Sequence, residues 1–456
     1  MTMDASRRAF LKRSAALSVA GGATPFVMNL AAIGEAAAAT ATDYKALVFV
    51  FLFGGNDYAN TVTPYDTASY ADYARLRSVL ALNRDALTPT LLNPTTPLPG
   101  GRQFALAPTL SPLLPVFDAG KMAVMLNVGT LVRPTTKAEW TSRTAVLPPK
   151  LFSHNDQQSY WQASNPEGAT SGWGGRIGDL LQSGNGTAAL TCINASGNAV
   201  YLSGRQAVQY SAGTNGPVAL RAATLLYGSS AGSVALRQIM SGSRPHVLEN
   251  EHARVSRRSL DLSAQVTTAL AAAPALTSNF PTGNSLADQL RAVARMISVS
   301  SELGAKRQVF FVSTGGFDLH DALAARQPGL LSNVAAAMKA FYDTTVQMGV
   351  ADRVTTFTGS DFGRTLIANT DGSDHGWGSM HFAMGGAVKG KAFYGTAPVM
   401  ADNGPDDVGQ GRLLPAISVD QYAATLASWF GVSASDMPTV LPNIGNYTTR
   451  DLGFMA

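Results

Sequence analysis

The sequence predicts an α/β protein with a doubly wound, mostly parallel central sheet flanked by helices, in a single large domain with insertions. Two observations carry this. The strand-like runs at Ala46 to Phe53, Met122 to Val128, Leu190 to Ile193, Val309 to Val312 and Val354 to Phe357 are almost continuously apolar rather than alternating. Strands buried on both faces read this way. Helical patterns lie between the later runs, and a β-α-β order with helical crossovers makes a parallel sheet.

Each element has its own local reason. The first run, ALVFVFLF, breaks at Gly54-Gly55-Asn56-Asp57, turn residues that end a strand sharply. Leu87 to Gly101 is rich in Pro, Thr and Asn and reads as a surface loop or insertion. Asn250 to Ala273 is helix-compatible and charged at its start, which places His246 and His252 in solvent. Thr277 to Gly283 reads as a connector. Ser285 with Asp288 then forms a capping box for a helix burying Leu286, Leu290, Val293 and Ile297. A second helix aligns Leu331, Val334, Met338, Phe341 and Met348 and stops at Gly349. Val419 to Phe430 reads as a late helix packing Tyr422, Leu426 and Trp429. No internal repeat and no boundary between independent domains is visible.

The amino terminus reads as an export signal over residues 1–39, leaving 40–456 as the mature body. Paired Arg7-Arg8 precede a mildly apolar segment, Ala15 to Ile33, and an alanine run ending at Ala39. That order is a secretory signal of the twin-arginine type, with cleavage near Ala38 or Ala39. The expected partner during export is the twin-arginine translocase, and the expected location is periplasmic or secreted. Glycines and Pro25 interrupt the segment too often for a stable membrane span.

Charge narrows the partners. Residues 1–39 hold four of the 34 Lys and Arg and two of the 30 Asp and Glu, so the remainder carries 30 against 28, a formal charge of +2. That balance argues for neither nucleic acid nor an anionic membrane surface. Cys192 is the only cysteine, so no intrachain disulfide forms. Its strand-like setting, TAALTCINA, predicts a buried inert thiol, and it lacks the C-x-P-x-R context that sulfatases convert to formylglycine.

The chemistry concentrates in strings that follow the strands: TGGFDLHD (Thr314 to Asp321), TGSDFGRT (Thr358 to Thr365) and DGSDHGWG (Asp371 to Gly378). Ligands of parallel sheets gather beyond the carboxyl ends of the strands. Asp57, Asp318, His320, Asp361, Asp374 and His375 are therefore candidate ligands of a divalent metal ion (Zn, Mn, Ca or Mg), since carboxylate and imidazole suit such cations. Arg364 is a candidate for stabilising charge on a phosphate- or sulfate-like group. His381 reads as a ligand, a partner behind a ligand or a satisfied core histidine, and Trp377 as packing or a pocket wall. In LFSHNDQQSYWQ, Ser153 stands as a helix N-cap beside His154. Ser153 is either a nucleophile or simply the cap, and His154 is a ligand or an acid/base. No P-loop occurs.

Taken together, FLFGGNDYANTVTP, SHNDQQSYWQ, GWGGRIGDLL, STGGFDLHD, SDFGRT, and SDHGWG leading to GGAVKGKAFYG resemble the bacterial family called domain of unknown function 1501. That family is similar in turn to the alkaline phosphatase and sulfatase superfamily. The resemblance implies an alkaline phosphatase-like sheet holding one or two divalent metals. Asp57 would bind one metal beside a nucleophile at Ser153, and Asp318 with His320 the other. His375 matches a final histidine in a Gly-rich loop. Phe362, in Ser360-Asp361-Phe362-Gly363, stands where that superfamily places a histidine ligand, leaving one site a ligand short.

These readings point to an exported metal-dependent hydrolase of a phosphate or sulfate ester, on a small-molecule or polysaccharide substrate. The alternative is a non-catalytic envelope protein that binds a polysaccharide or partner in a degenerate cleft. A third reading has the Asp and Gly loops holding a structural calcium.

Overall fold

The computed structural model describes residues 43–218 and 220–456. The signal read over residues 1–39 lies outside them. Twelve strands occur among the described residues, in chain order β1 (Lys45–Leu52), β2 (Val62–Pro64), β3 (Phe104–Leu106), β4 (Met122–Gly129), β5 (Cys192–Asn194), β6 (Tyr210–Gly213), β7 (Gly216–Pro217), β8 (Arg307–Thr314), β9 (Val354–Ser360), β10 (Ser379–Gly385), β11 (Ala392–Tyr394) and β12 (Ile417–Ser418). The main sheet runs β11-β4-β10-β9-β1-β8-β5-β6-β7, with β12 beside β4. Strands β9, β1, β8, β5 and β6 are mutually parallel. Within this path β10 runs against both neighbours, and β7 runs against β6. The β2-β3 pair stands apart.

Continuous apolar strands are what a two-faced core requires. Ala46, Val48, Val50 and Leu52 of β1 point into one hydrophobic cluster, and Leu47, Phe49 and Phe51 into the other. Successive side chains alternate between faces, so a strand covered on both sides has no polar positions to spare. Helices α6 (Ser285–Ser298) and α7 (Leu323–Gln347) bury their stripes in the first cluster. Helices α2 (His154–Ala163), α3 (Trp173–Leu181) and α8 (Val419–Phe430) fill the second. Each fully buried Leu, Val or Phe contributes about 1.5–3 kcal/mol. Segment β8-α7-β9 carries the chain across β1, which lies between β8 and β9.

Several expectations are refined. The cap of α6 is Asn284, whose side chain accepts from the Ala287 amide, and not Ser285. Helix α7 begins at Leu323, well before the expected stripe. Strand β10, SMHFAMG, had no signal because His381 interrupts an apolar run that is only five residues long between Ser379 and Gly385. His381 lies within it, fully buried; burial pushes the imidazole down to about 3, and its Nε2 has no hydrogen-bond partner. Cys192 is buried, as expected. Among the described residues no helix is long and apolar enough to cross a membrane.

Candidate metal centre

The three central strands end level. Leu52 of β1 is in register with Thr314 of β8 and with Ser360 of β9, so the loops after them leave the same rim. Gly54 locks these loops together. It has φ +115°, and a Cβ there would lie 2.3 Å from the Asp318 amide nitrogen. Its own N–H donates to Asp361 Oδ1 at 3.1 Å, and its carbonyl accepts from Arg364 at 3.2 Å. An antiparallel bridge between Arg364 and His375, with Thr365 N–H donating to the Asp374 carbonyl, folds the fourth loop onto the third. Helix α2 (His154–Ala163) brings His154 in from the side.

Three imidazoles converge on one carboxylate. His154 Nδ1 donates to Asp361 Oδ2 at 2.6 Å, leaving Nε2 3.4 Å from Asp318 Oδ2. His375 Nδ1 donates to the Phe152 carbonyl at 2.7 Å, leaving Nε2 3.2 Å from Asp318 Oδ1. His320 Nδ1 faces Asp374 Oδ1 at 3.3 Å, and its Nε2 lies 3.1 Å from Asp318 Oδ1. An imidazole whose Nδ1–H is committed presents a lone pair at Nε2. One ligand atom from each of His154, Asp318 and His375 lies within 4.8 Å of the others.

The fit to a cation shows between His320 and His375. Their Nε2 atoms are 3.0 Å apart. With both Nδ1 protons directed elsewhere, two lone pairs face each other. That contact repels unless a cation or a proton lies against both. Nitrogen ligands about 2.0–2.1 Å from a tetrahedral zinc sit roughly 3.4 Å from one another. Three imidazoles and a carboxylate suit Zn²⁺ or a neighbouring transition metal better than Ca²⁺ or Mg²⁺, which prefer oxygen.

For Asp318, burial raises the pKa, but the hydrogen bond and charge of Arg364, then His154 and His320, hold it below its ordinary value. The hydrogen bond that His154 donates to Asp361 raises the imidazole above its ordinary value against the opposing effect of burial. His375 is lowered, first by burial and then by the charges of His154 and Arg364. Asp318 and His320 remain 43% and 45% exposed, so the cluster opens to solvent on their side.

The structure therefore unites Asp318, His320 and His375 and adds His154, but it redistributes the other roles. Asp361 is fully buried and is not turned toward the cluster. One oxygen is taken by Gly54 and the other by His154 and by Gln158 at 2.7 Å. Asp374 likewise faces the far nitrogen of His320. Both hold histidines from behind, as carboxylates behind metal-ligating imidazoles do. Asp57 is not in the cluster: it is buried against Arg77 and accepts from the Ala59 amide at 3.1 Å. Arg364 is wholly buried, with donors spent on Asp318 at 2.7 Å, on Gly54 and on Ser373. It holds Asp318 rather than facing a substrate. Ser153 sits at the N-cap position of α2 but makes no cap bond; its hydroxyl donates to Asp156 Oδ2 at 3.0 Å.

Three contributors escaped the sequence reading. Gln158 lies four residues after His154, one turn along the same helix face, so its aim at the same carboxylate was readable. Phe152, at φ +73°, turns its carbonyl to His375; no sequence signal announces that. Phe362 is no vacant ligand position, for its ring packs against both His154 and His375, 5.0 and 4.5 Å from their centroids, while those two rings also touch each other at 4.4 Å.

Fold and site together define an α/β protein with a histidine–aspartate cluster at the carboxyl rim of a mostly parallel sheet. The chain belongs to the family described as protein of unknown function (DUF1501), whose sequence profile matches residues 44–433. No curated protein matches it in sequence. Solved structures similar to it include Ps i-CgsB in complex with k-i-k-neocarrahexaose, at 8% identity and a TM-score of 0.34, covering 88% of this chain and 77% of that one. Another is BT33494S-sulf of Bacteroides thetaiotaomicron, at 10% identity and 0.33, covering 86% and 74%. A third is the PsFucS1 sulfatase from Pseudoalteromonas sp., at 8% identity and 0.34, covering 95% and 76%. Likeness at these scores carries no argument about activity.

Proposed function

We propose that this protein is an exported metal-dependent hydrolase of a phosphate or sulfate ester, carried out of the cytoplasm by the twin-arginine translocase. One observation carries the metal: three Nε2 lone pairs are aimed at Asp318 while every Nδ1 faces an acceptor. A divalent cation held there supplies Lewis acidity toward an ester oxygen and toward water. The chain's own residues do the rest. Arg364 keeps Asp318 ionised and in place, Asp361 and Gln158 fix the ring of His154, and Phe362 packs against the rings of His154 and His375. The solvent-facing side of Asp318 and His320 admits the ester. The choice of phosphate or sulfate rests on the family resemblance of the sequence alone.

A second reading, metal held without turnover, is favoured by two particulars. Arg364 is too buried to receive an anionic group, and the Ser153 hydroxyl is engaged by Asp156. The test is metal analysis of the purified chain with a panel of aryl phosphates and sulfates. Wild type should carry about one transition-metal ion per chain and hydrolyse at least one ester, and Asp318→Ala and His375→Ala should lose both properties while remaining folded. Metal without hydrolysis selects the second reading. A chain that takes up no metal from Zn²⁺ or Mn²⁺ solutions refutes both.

A further inference from the structure

The overall charge of +2 conceals a local imbalance. Residues 205–258 contain seven arginines, no lysine and only two acidic residues, Glu249 and Glu251, a net +5. Since residues 40–456 total +2, the rest of that body is at −3. All seven arginines are exposed. The same stretch holds ten of the fourteen large hydrophobic side chains that are exposed among the described residues. Tyr227 is 99% exposed, Val247 79%, Leu248 74% and Ile239 63%.

Local structure explains the exposure. Helix α4 (Ser230–Ser241) buries only Ser233, and the long α5 (Val247–Ala272) buries only Ala253, Val266 and Leu270. The turn between them is held by Arg257 donating to the Ser241 carbonyl and by Ser243 donating to Asn250 at 3.2 Å. The hairpin is thus fixed by polar contacts at its turn while its aliphatic side chains stay uncovered. In a body whose core strands are fully buried, so many uncovered aliphatic groups in one segment mark a contact surface.

We infer that the α4–α5 hairpin and the loop carrying Tyr227 dock on the surface of an anionic phospholipid bilayer. Exposed arginines would meet lipid phosphates, whose oxygens the guanidinium fork matches. Tyr227, Ile239, Val247 and Leu248 would enter the boundary between headgroups and acyl chains, the arrangement of interfacial helices. Charge decides among occupants. A second copy would set +5 against +5. A lipid surface supplies the missing negative charge, and its fluidity needs no groove shaped to side chains spread over three segments. This docking is independent of the hydrolase reading.

Vesicle flotation of the full chain tests it, because residues 1–39 are common to every sample and their contribution cancels between variants. Phosphatidylcholine vesicles with about 30% phosphatidylglycerol should bind about tenfold more protein than pure phosphatidylcholine, and about 0.5 M salt should remove most of that excess. Ile239→Ser with Leu248→Ser, and separately Arg221→Gln, Arg237→Gln and Arg254→Gln together, should each lower binding to anionic vesicles about fivefold or more. All of these side chains are exposed, and unchanged melting temperatures would show the fold kept. Wild type that binds both vesicle types equally, or neither, overturns the inference. So do variants that float like wild type, which would assign the binding to residues 1–39. Dimerisation lost in the apolar variant, without vesicle binding, would give the face to a second copy instead, and binding to an acidic protein surface without vesicle binding would give it to a protein partner.

Discussion

Asp361→Asn isolates the part of the centre that works from behind. The carboxylate accepts from the Gly54 amide through Oδ1 and from His154 Nδ1 and Gln158 Nε2 through Oδ2, and none of its surface is exposed. An asparagine there has one acceptor and one donor. If its NH₂ faces His154, that ring must accept at Nδ1, moving its proton to Nε2 and removing the lone pair aimed at Asp318. If the NH₂ faces Gly54, two N–H groups collide at about 3 Å, costing about 1–3 kcal/mol as unsatisfied donors. Either way the fourth ligand is lost or the rim is strained. Partners behind metal-bound histidines are typically worth 10–100-fold in affinity, or about 1.4–2.7 kcal/mol. The assay is Zn²⁺ competition against a chromophoric chelator, with chelator-treated wild type as reference and thermal melting of both metal-free proteins. Zn²⁺ affinity should fall by that factor with the metal-free melting temperature lowered by only a few degrees. Wild-type affinity in Asp361→Asn would refute the claim that this carboxylate sets the tautomer of His154.

Further outcomes follow from other parts of the structure. Burial pushes Asp420 up to about 6 from 3.8, against hydrogen bonds from Asn443 and Ser164 and the charge of Arg176. The folded state therefore binds its proton more tightly than the unfolded chain does, and this group's contribution to stability falls as pH rises from about 4 to about 6, by about 3 kcal/mol. Asp420→Asn should gain on wild type over that window in urea unfolding, and a pH-independent difference would disprove the assignment. Gly54→Ala would place a Cβ 2.3 Å from the Asp318 nitrogen at φ +115°; it should cost about 3 kcal/mol and weaken Zn²⁺ binding, read by urea midpoint and metal titration. Cys192 is pushed up to about 12, by burial and then by the charge of Asp179. It should react with a thiol reagent only as fast as the protein unfolds, and rapid labelling of the native chain would contradict its place in the core.

The sheet was legible because its strands are buried on both faces. ALVFVFLF leaves no polar position, and the observed β1 shifts from the expected run by one residue at each end. Strand β10 was not, because a short buried strand interrupted by His381 has no period to detect. The loops of the site were legible through Gly-Asp-His strings placed after apolar runs, and three of the four converging side chains came from them. What the strings cannot convey is which way a carboxylate points. Asp318 and Asp361 look equivalent in sequence, each close behind a strand. In space a buried Arg364 and a glycine amide decide between them: Arg364 fixes Asp318 facing the imidazoles, while Gly54 and Gln158 turn Asp361 to their backs. Asp57 shows the same limit, since Arg77, twenty residues later in a helix of no evident amphipathic pattern, claims it.

Formal charge links the inner and outer parts of the centre. Three carboxylates, Asp318, Asp361 and Asp374, and one guanidinium, Arg364, meet around three imidazoles. With neutral imidazoles the group sums to −2. A divalent cation among the Nε2 atoms would neutralise it and leave every Nδ1 contact unchanged. Two extra protons would also neutralise it, but they would sit on Nε2 atoms. His320 and His375, 3.0 Å apart there, can share one proton and not two. The second proton would go to His154 Nε2, which faces Asp318 Oδ2 at 3.4 Å, so a divalent cation and a pair of protons compete for the same balance, and metal affinity should fall as the pH falls. Because Asp361 and Arg364 are buried, this balance bears on the stability of the rim as well as on binding: leaving a buried charge uncompensated costs several kcal/mol. On the proposed metal-binding reading, uptake and ordering of the four rim loops should be one thermodynamic event, and Gly54→Ala should then weaken metal affinity although Gly54 itself is no ligand.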